Sequence, residues 1–83
     1  MKQIIVYTQN GCRPCESLKE FLTRSGIPFE ARNISQNPDY KEEVLALNVM
    51  TTPVIVIKDG DEQQVLTGFN PDMEKLIRQA VGE

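Results

Sequence analysis

Apolar and polar positions along the chain change period several times, and each change marks an element. Ile4-Ile5-Val6-Tyr7 is an unbroken apolar run, so residues 3–7 read as a strand buried on both faces and central in its sheet. Thr8-Gln9-Asn10-Gly11 is turn-forming, and beyond it Cys15, Leu18, Phe21 and Leu22 recur at helical spacing. That first helix extends to Ser25, with Gly26 as its stop and Pro28 preventing continuation. Phe29 to Ile34 alternates apolar and polar, which predicts a more exposed edge strand. The resulting strand-helix-strand unit should be parallel, with a right-handed crossover. Asn37-Pro38 supplies a cap and first-turn proline for a second helix, with Tyr40, Val44 and Leu47 on one face and Asn48 at its end. Val54-Ile55-Val56-Ile57, entered through Thr51-Thr52-Pro53, is a second continuous apolar run and a second central strand. Asp59-Gly60 is a hairpin signal, so a mixed strand around Gln63 to Thr67 should return antiparallel at the other edge. Asn70-Pro71-Asp72 then caps a last helix, in which Met73, Leu76, Ile77 and Ala80 share a face.

Strand, helix, strand, helix, strand, strand, helix is an α/β order. It predicts a four-stranded mixed sheet with helices on both faces, and it looks like the thioredoxin fold. With 83 residues and no repeat, linker or low-complexity stretch, residues 1–83 are expected to form one domain.

Composition narrows the function classes. Nine basic residues against twelve acidic ones give a net charge of -3 without a basic patch, so nucleic acid is not the expected partner. The apolar run behind Met1-Lys2-Gln3 is too short for a signal peptide or a membrane span. The expected compartment is the cytoplasm. There thiols are held reduced, and a dithiol that becomes oxidised is usually catalytic or sensing.

Both cysteines lie in Cys12-Arg13-Pro14-Cys15, where the first strand hands over to the first helix. A helix N-terminus offers unpaired N–H groups and the positive end of the dipole, which stabilise a thiolate. Arg13 and Lys19 would add positive charge. Three other readings compete. A zinc knuckle needs four ligands, but the chain has two cysteines and no histidine. A structural disulfide across so short a loop removes little entropy from the unfolded chain. Two inert buried thiols leave the C-x-x-C spacing at a helix start unexplained. Redox chemistry is therefore the preferred reading.

A resemblance covers essentially the whole chain. It rests on the strand end at Tyr7, the C-x-x-C pair, Thr52-Pro53 before an apolar strand, and Gly68-Phe69-Asn70-Pro71-Asp72 before the last helix. The chain resembles the glutaredoxin-like redoxins and, within them, the NrdH-redoxins, which look like glutaredoxins but behave like thioredoxins and deliver electrons to ribonucleotide reductase. The resemblance implies a cis bond before Pro53, which brings the Thr52 backbone beside the dithiol to pair with an extended substrate. It implies Cys12 as attacking thiolate and Cys15 as resolving thiol. Arg13, Thr52, Pro53, Gly68, Phe69 and Asp72 would face the substrate. It implies no bound cofactor, reducing equivalents coming from thioredoxin reductase and NADPH or from glutathione. The partners are then a protein disulfide, with ribonucleotide reductase as one candidate, and that reductant. A monomer is expected.

Departures from the family bear on the reductant. Glutathione-using glutaredoxins commonly have Pro-Tyr between the cysteines, a basic residue three before the first, and Gly-Gly ahead of the last helix. Here those places hold Arg13-Pro14, Gln9 and Gly68-Phe69, which weakens a glutathione site. Thioredoxins proper usually carry Trp directly before the motif and a buried Asp six before its first cysteine, where this chain has Gly11 and Val6. Three of the side chains also have simpler readings: Phe69 as a cover for the core edge, Arg13 as solvated surface, Asp72 as a partner of its helix dipole. The expectation is a dithiol reductant of protein disulfides of the NrdH type. A glutathione-dependent glutaredoxin is the alternative, and a binding module or cluster-binding dimer is the second.

Overall fold

Four apolar residues in succession on a strand must be covered from both sides, and the arrangement of helices follows from that need. The computed structural model describes residues 2–82. In order it has β1 (Lys2–Thr8), α1 (Arg13–Arg24), β2 (Glu30–Asn33), α2 (Pro38–Ala46), β3 (Val54–Asp59), β4 (Glu62–Thr67) and α3 (Pro71–Ala80). The strands form one sheet in the order β2-β1-β3-β4. β1 is parallel to β2 and antiparallel to β3, and β4 is antiparallel to β3. The two continuous apolar runs are therefore the inner strands and the two mixed ones the edges, as the hydrophobic pattern predicts.

Alternation along the inner strands divides the core into two layers. Ile4, Val6, Ile55 and Ile57 face Leu18, Phe21 and Leu22 of α1 and Ile77 of α3. Ile5, Tyr7, Val54 and Val56 face Val44 of α2 on the opposite side. Burying each such side chain is worth roughly 1.5–3 kcal/mol. The α1/α3 layer holds most of the large buried side chains and is the firmer support for whatever sits at the start of α1.

Local chemistry fixes the helix ends. Asn37 Oδ1 accepts the Asp39 N–H at 2.9 Å, and Asn70 Oδ1 accepts the N–H groups of Asp72 and Met73 at 3.0 and 3.2 Å. Both asparagines are followed by a proline whose missing N–H would have had no partner there. α1 stops at Ser25, and Gly26 turns the chain out at φ 71° so that Ile27 can tuck back into the core.

Three details differ from the expected pattern. Asp59 pairs with Glu62, so the hairpin loop is Gly60-Asp61 rather than Asp59-Gly60. Gly60 takes the left-handed conformation at φ 63°. Leu76 is 50% exposed, because the buried stripe of α3 runs through Met73, Ile77, Ala80 and Val81 and Leu76 lies roughly a quarter turn from its middle. On α2 only Val44 is fully buried, while Tyr40 and Leu47 are half-buried. Among the described residues no helix is long and apolar enough to cross a membrane.

Candidate active site

The route from β1 to α1 is pinned before it reaches the cysteines. Thr8 C=O accepts the Ile34 N–H at 2.8 Å, which extends the parallel pairing of β1 and β2. Beyond it a polar clasp joins the two loops. The Asn10 N–H donates to Ser35 Oγ at 3.1 Å, Asn33 Nδ2 donates to Asn10 Oδ1 at 3.0 Å, and the Ser35 N–H donates to Asn33 Oδ1 at 2.8 Å. Gly11 then turns the chain at φ 75°. A Cβ there would meet nothing within 4 Å, so it is the backbone conformation rather than space that calls for glycine.

Cys12 is the residue that caps α1, in extended conformation, and its Sγ accepts the Cys15 N–H at 3.2 Å. A sulfur thus occupies the place usually taken by a serine or aspartate oxygen. The two cysteines are joined as a disulfide, with Cα atoms 5.2 Å apart. Their surroundings are unequal. Cys15 is fully buried in the same stripe as Leu18, Phe21 and Leu22, whereas Cys12 is partly open to solvent. An incoming thiol or disulfide can reach only Cys12.

The loop before β3 closes over this pair. The Thr52–Pro53 bond is cis, as the resemblance implies, and the Thr52 hydroxyl donates to Cys12 Sγ at 3.6 Å. Pro53 C=O accepts the Gly68 N–H at 2.9 Å. Cys12, Thr52, Pro53 and Gly68 are thereby linked in one continuous set of contacts drawn from three parts of the chain. Phe69 follows immediately, and its ring packs on Phe21 with centroids 5.8 Å apart. The reading of Phe69 as a cover for the core edge is therefore correct. It also forms one wall of a shallow groove of about 470 Å³ with Arg13, Pro14, Asn70 and Pro71.

Arg13 is exposed. Lys19, expected to add charge near the dithiol, is paired instead with Glu16 at 3.1 Å. Asp72 is exposed in the first turn of α3, and its N–H is satisfied by Asn70. Among the described residues no hydrogen bond or ion pair joins the Asp72 side chain to the dithiol, and its chain neighbours Asn70 and Pro71 line the groove that Phe69 walls. On the other side of Thr52 a second groove, about 250 Å³, is walled by Gln9, Leu45, Val49 and Met50. Met50 is 91% exposed.

Two features were not legible in the sequence. The Thr52 hydroxyl reaches Cys12 across 40 residues of chain, and the resemblance had pointed to Thr52 only through its backbone. Behind the site, Tyr7 Oη donates to Glu43 Oε1 at 2.8 Å, Arg32 Nη1 donates to the same oxygen at 2.6 Å, and Arg32 also binds Glu30. The Arg32 guanidinium lies 5.9 Å from the Tyr7 ring centre and 5.6 Å from that of Tyr40, so the cluster ties α2 to β1 and β2. Burial first, then the neighbouring Glu43 carboxylate, push the Tyr7 phenol above its ordinary range. Glu43 is held below its ordinary range, first by the hydrogen bond from Tyr7 and then by Arg32.

A dithiol with one open and one buried sulfur at a helix N-terminus can exchange with an external disulfide. Known proteins match the chain over most of its length. The glutaredoxin family model covers residues 4–61. The gene 56 protein of Mycobacterium phage L5 is 38% identical over 76 residues, which is 89% of this chain and 71% of that protein. The glutaredoxin-like protein NrdH of Lactococcus lactis subsp. lactis is 31% identical over 74 residues, 88% of this chain and 97% of its own length. Among solved structures, the glutaredoxin-like NrdH-redoxin from Escherichia coli, described for its thioredoxin-like activity profile, superposes with a TM-score of 0.73. It is 31% identical and covers 90% of this chain and 93% of its own.

Proposed function

The chain belongs to the glutaredoxin family of thiol-disulfide oxidoreductases, with the thioredoxin-like fold and its C-x-x-C pair at Cys12 and Cys15, and from that premise we propose that it reduces protein disulfides as an electron donor of the NrdH-redoxin type. The observation that carries this reading is the asymmetry of the pair: Cys15 is fully buried and Cys12 is partly open. In the reduced protein the Cys12 thiolate attacks one sulfur of a substrate disulfide and expels the other as a thiolate, which takes a proton. The Cys15 thiol then loses its proton and attacks Cys12 Sγ. This releases the second substrate thiol and leaves the Cys12–Cys15 disulfide. Two electrons pass from the redoxin to the substrate.

The backbone groups of the loop at Thr52, ahead of β3, are available for a substrate segment to pair with, a common way of holding an unfolded or loop disulfide. Two sequence features favour thioredoxin reductase with NADPH over glutathione as the source of electrons. Gln9 stands where a cation would hold a carboxylate, and the Phe69 ring, packed on Phe21, fills a place where backbone would otherwise be open. In this reading the protein works in the cytoplasm as a monomer. Ribonucleotide reductase is a candidate substrate.

The test is reduction of a protein disulfide coupled to NADPH, either through thioredoxin reductase or through glutathione and glutathione reductase. Turnover with thioredoxin reductase alone, lost in both Cys12→Ser and Cys15→Ser, is the expected result. Turnover with glutathione that survives Cys15→Ser would replace this reading by a monothiol-capable glutaredoxin.

A further inference from the structure

We propose that the Asn10-Gly11 pair is a site of spontaneous deamidation, held in check by the side chain of Asn33, and that its conversion to isoaspartate unlatches the loop that delivers Cys12. The effect on exchange rests on the reading of Cys12 as the attacking sulfur. The chain has five asparagines, and the residue after each decides whether the next backbone nitrogen can attack the side-chain amide. Asn37 and Asn70 precede prolines, which have no N–H to give up. Asn33 and Asn48 precede Ile34 and Val49, whose branched side chains crowd the approach. Asn10 precedes a glycine, which leaves the approach open, and both residues of the pair are exposed. Among the described residues the Gly11 N–H has no hydrogen-bond acceptor. The nucleophile is therefore free.

The amide it would attack is restrained. The Ser35 N–H donates to Asn33 Oδ1 at 2.8 Å, which turns Asn33 Nδ2 toward Asn10, and that nitrogen donates to Asn10 Oδ1 at 3.0 Å. The Asn10 N–H is itself engaged by Ser35 Oγ at 3.1 Å. Ring closure needs the Asn10 side chain to swing onto the nitrogen that follows it, and the bond from Asn33 opposes that swing.

In the reaction Gly11 N loses its proton and bonds to Asn10 Cγ, the Cγ–Nδ2 bond breaks, and Nδ2 leaves as ammonia. Water then opens the cyclic imide. Cleavage between Gly11 N and Cγ gives aspartate, whereas cleavage between Gly11 N and the main-chain carbonyl carbon gives isoaspartate, the major product. Nothing is oxidised or reduced. Aspartate adds a negative charge close to Cys12 and leaves the backbone as it was. Isoaspartate adds the same charge and also routes the main chain through the former side chain, which makes it longer by a methylene. The insertion falls between two fixed points: Thr8, whose C=O accepts the Ile34 N–H at 2.8 Å, and Cys12, which caps α1 by accepting the Cys15 N–H at 3.2 Å. A longer route does not fit the present register, so the clasp and the cap cannot both persist.

The oxidised protein, whose thiols cannot interfere, is incubated at mildly alkaline pH, digested and mapped by mass spectrometry, with the same chain in urea as the unrestrained reference. Deamidation should be confined to the Asn10 peptide and run more slowly in the folded chain than in urea. In folded Asn33→Ala it should speed up about three- to tenfold, the factor that one such hydrogen bond is worth. Asn33→Asp, which keeps the acceptor for Ser35 and loses the donor to Asn10, is the second variant should the alanine not fold. After incubation and reduction, the reaction of Cys12 with a small aromatic disulfide reads exchange without a substrate protein or a reductase. The modified fraction, isolated by its added negative charge, should react about three- to tenfold more slowly than fresh protein, the range expected from a lost helix cap. Asn10→Asp, which carries the charge on an unaltered backbone, should lose less, and Asn10→Gln should come through the incubation unmodified and unslowed. The proposal is overturned if Asn10 stays intact, if both Asn33 variants deamidate at the parent rate, if the modified fraction reacts like fresh protein or like Asn10→Asp, or if Asn10→Gln slows as the parent does. Failure of the thioredoxin reductase assay would instead count against the proposed electron source and leave these measurements standing.

Discussion

At the scale of single residues, position in the burial pattern decides what each cysteine can do. Cys12 can be approached and Cys15 cannot, so the two serine variants should fail differently. Cys15→Ser should accumulate a mixed disulfide with an oxidised protein substrate, visible as a mass increase that thiol reductant removes. Cys12→Ser should trap none under the same conditions. The apolar residues beneath the pair carry the support. Leu22 is fully buried in the larger core layer, and Leu22→Ala should lower stability by about 2–5 kcal/mol in urea unfolding. Leu76, half-exposed on α3, should tolerate the same change at under about 1 kcal/mol.

At the scale of elements, the caps set where helices begin, and the cap of α3 matters most to the site. Asn70 Oδ1 accepts two N–H groups, at the end of the turn that holds Gly68 against Pro53. Asn70→Ala should cost about 1 kcal/mol in thermal or urea unfolding. Asn37→Ala, which removes a single such bond from a helix that buries only Val44, should cost less. These elements were readable in the sequence because each has a local cause: two unbroken apolar runs for the inner strands, Asn-Pro pairs for α2 and α3, and Gly26 for the end of α1. Cys15, Leu18, Phe21 and Leu22 emerge as the buried face of α1, as their spacing predicts. Features set by distant parts of the chain were not readable. The rotation of α3 that leaves Leu76 outside depends on where the sheet ends. The loop residues of the hairpin depend on a pairing register shared with the neighbouring strand. The bond from Thr52 to Cys12 and the Tyr7–Arg32–Glu43 cluster join residues whose adjacency no local pattern announces.

At the scale of the whole molecule, that cluster makes stability depend on pH at both ends. Glu43 binds its proton less readily in the folded state, so its contribution is complete at neutral pH and is lost as the pH falls through and below the carboxylate range. Tyr7 holds its proton more firmly than the ordinary value of 10.0. Its contribution is present below that pH and is lost as the pH rises past the folded value. Glu43→Gln should flatten the acid limb of a plot of melting temperature against pH, and Tyr7→Phe the alkaline limb. Both effects should be modest and should shrink with added salt, since the Glu43 side chain is 39% exposed.

The position of β1 has a consequence for how the protein is made. Of the four strands of this sheet it leaves the ribosome first, yet it belongs inside the sheet, between β2 and β3. Once residues up to α2 have emerged, β1 can pair with β2 and be covered by two helices, but the edge that will receive β3 stays open until Asp59 has been synthesised. During that interval Ile4 to Tyr7 present unpaired backbone beside apolar side chains, the kind of edge that recruits other nascent chains. Chains stalled before β3 should precipitate or require a chaperone. The completed chain, with β3 in place, should not.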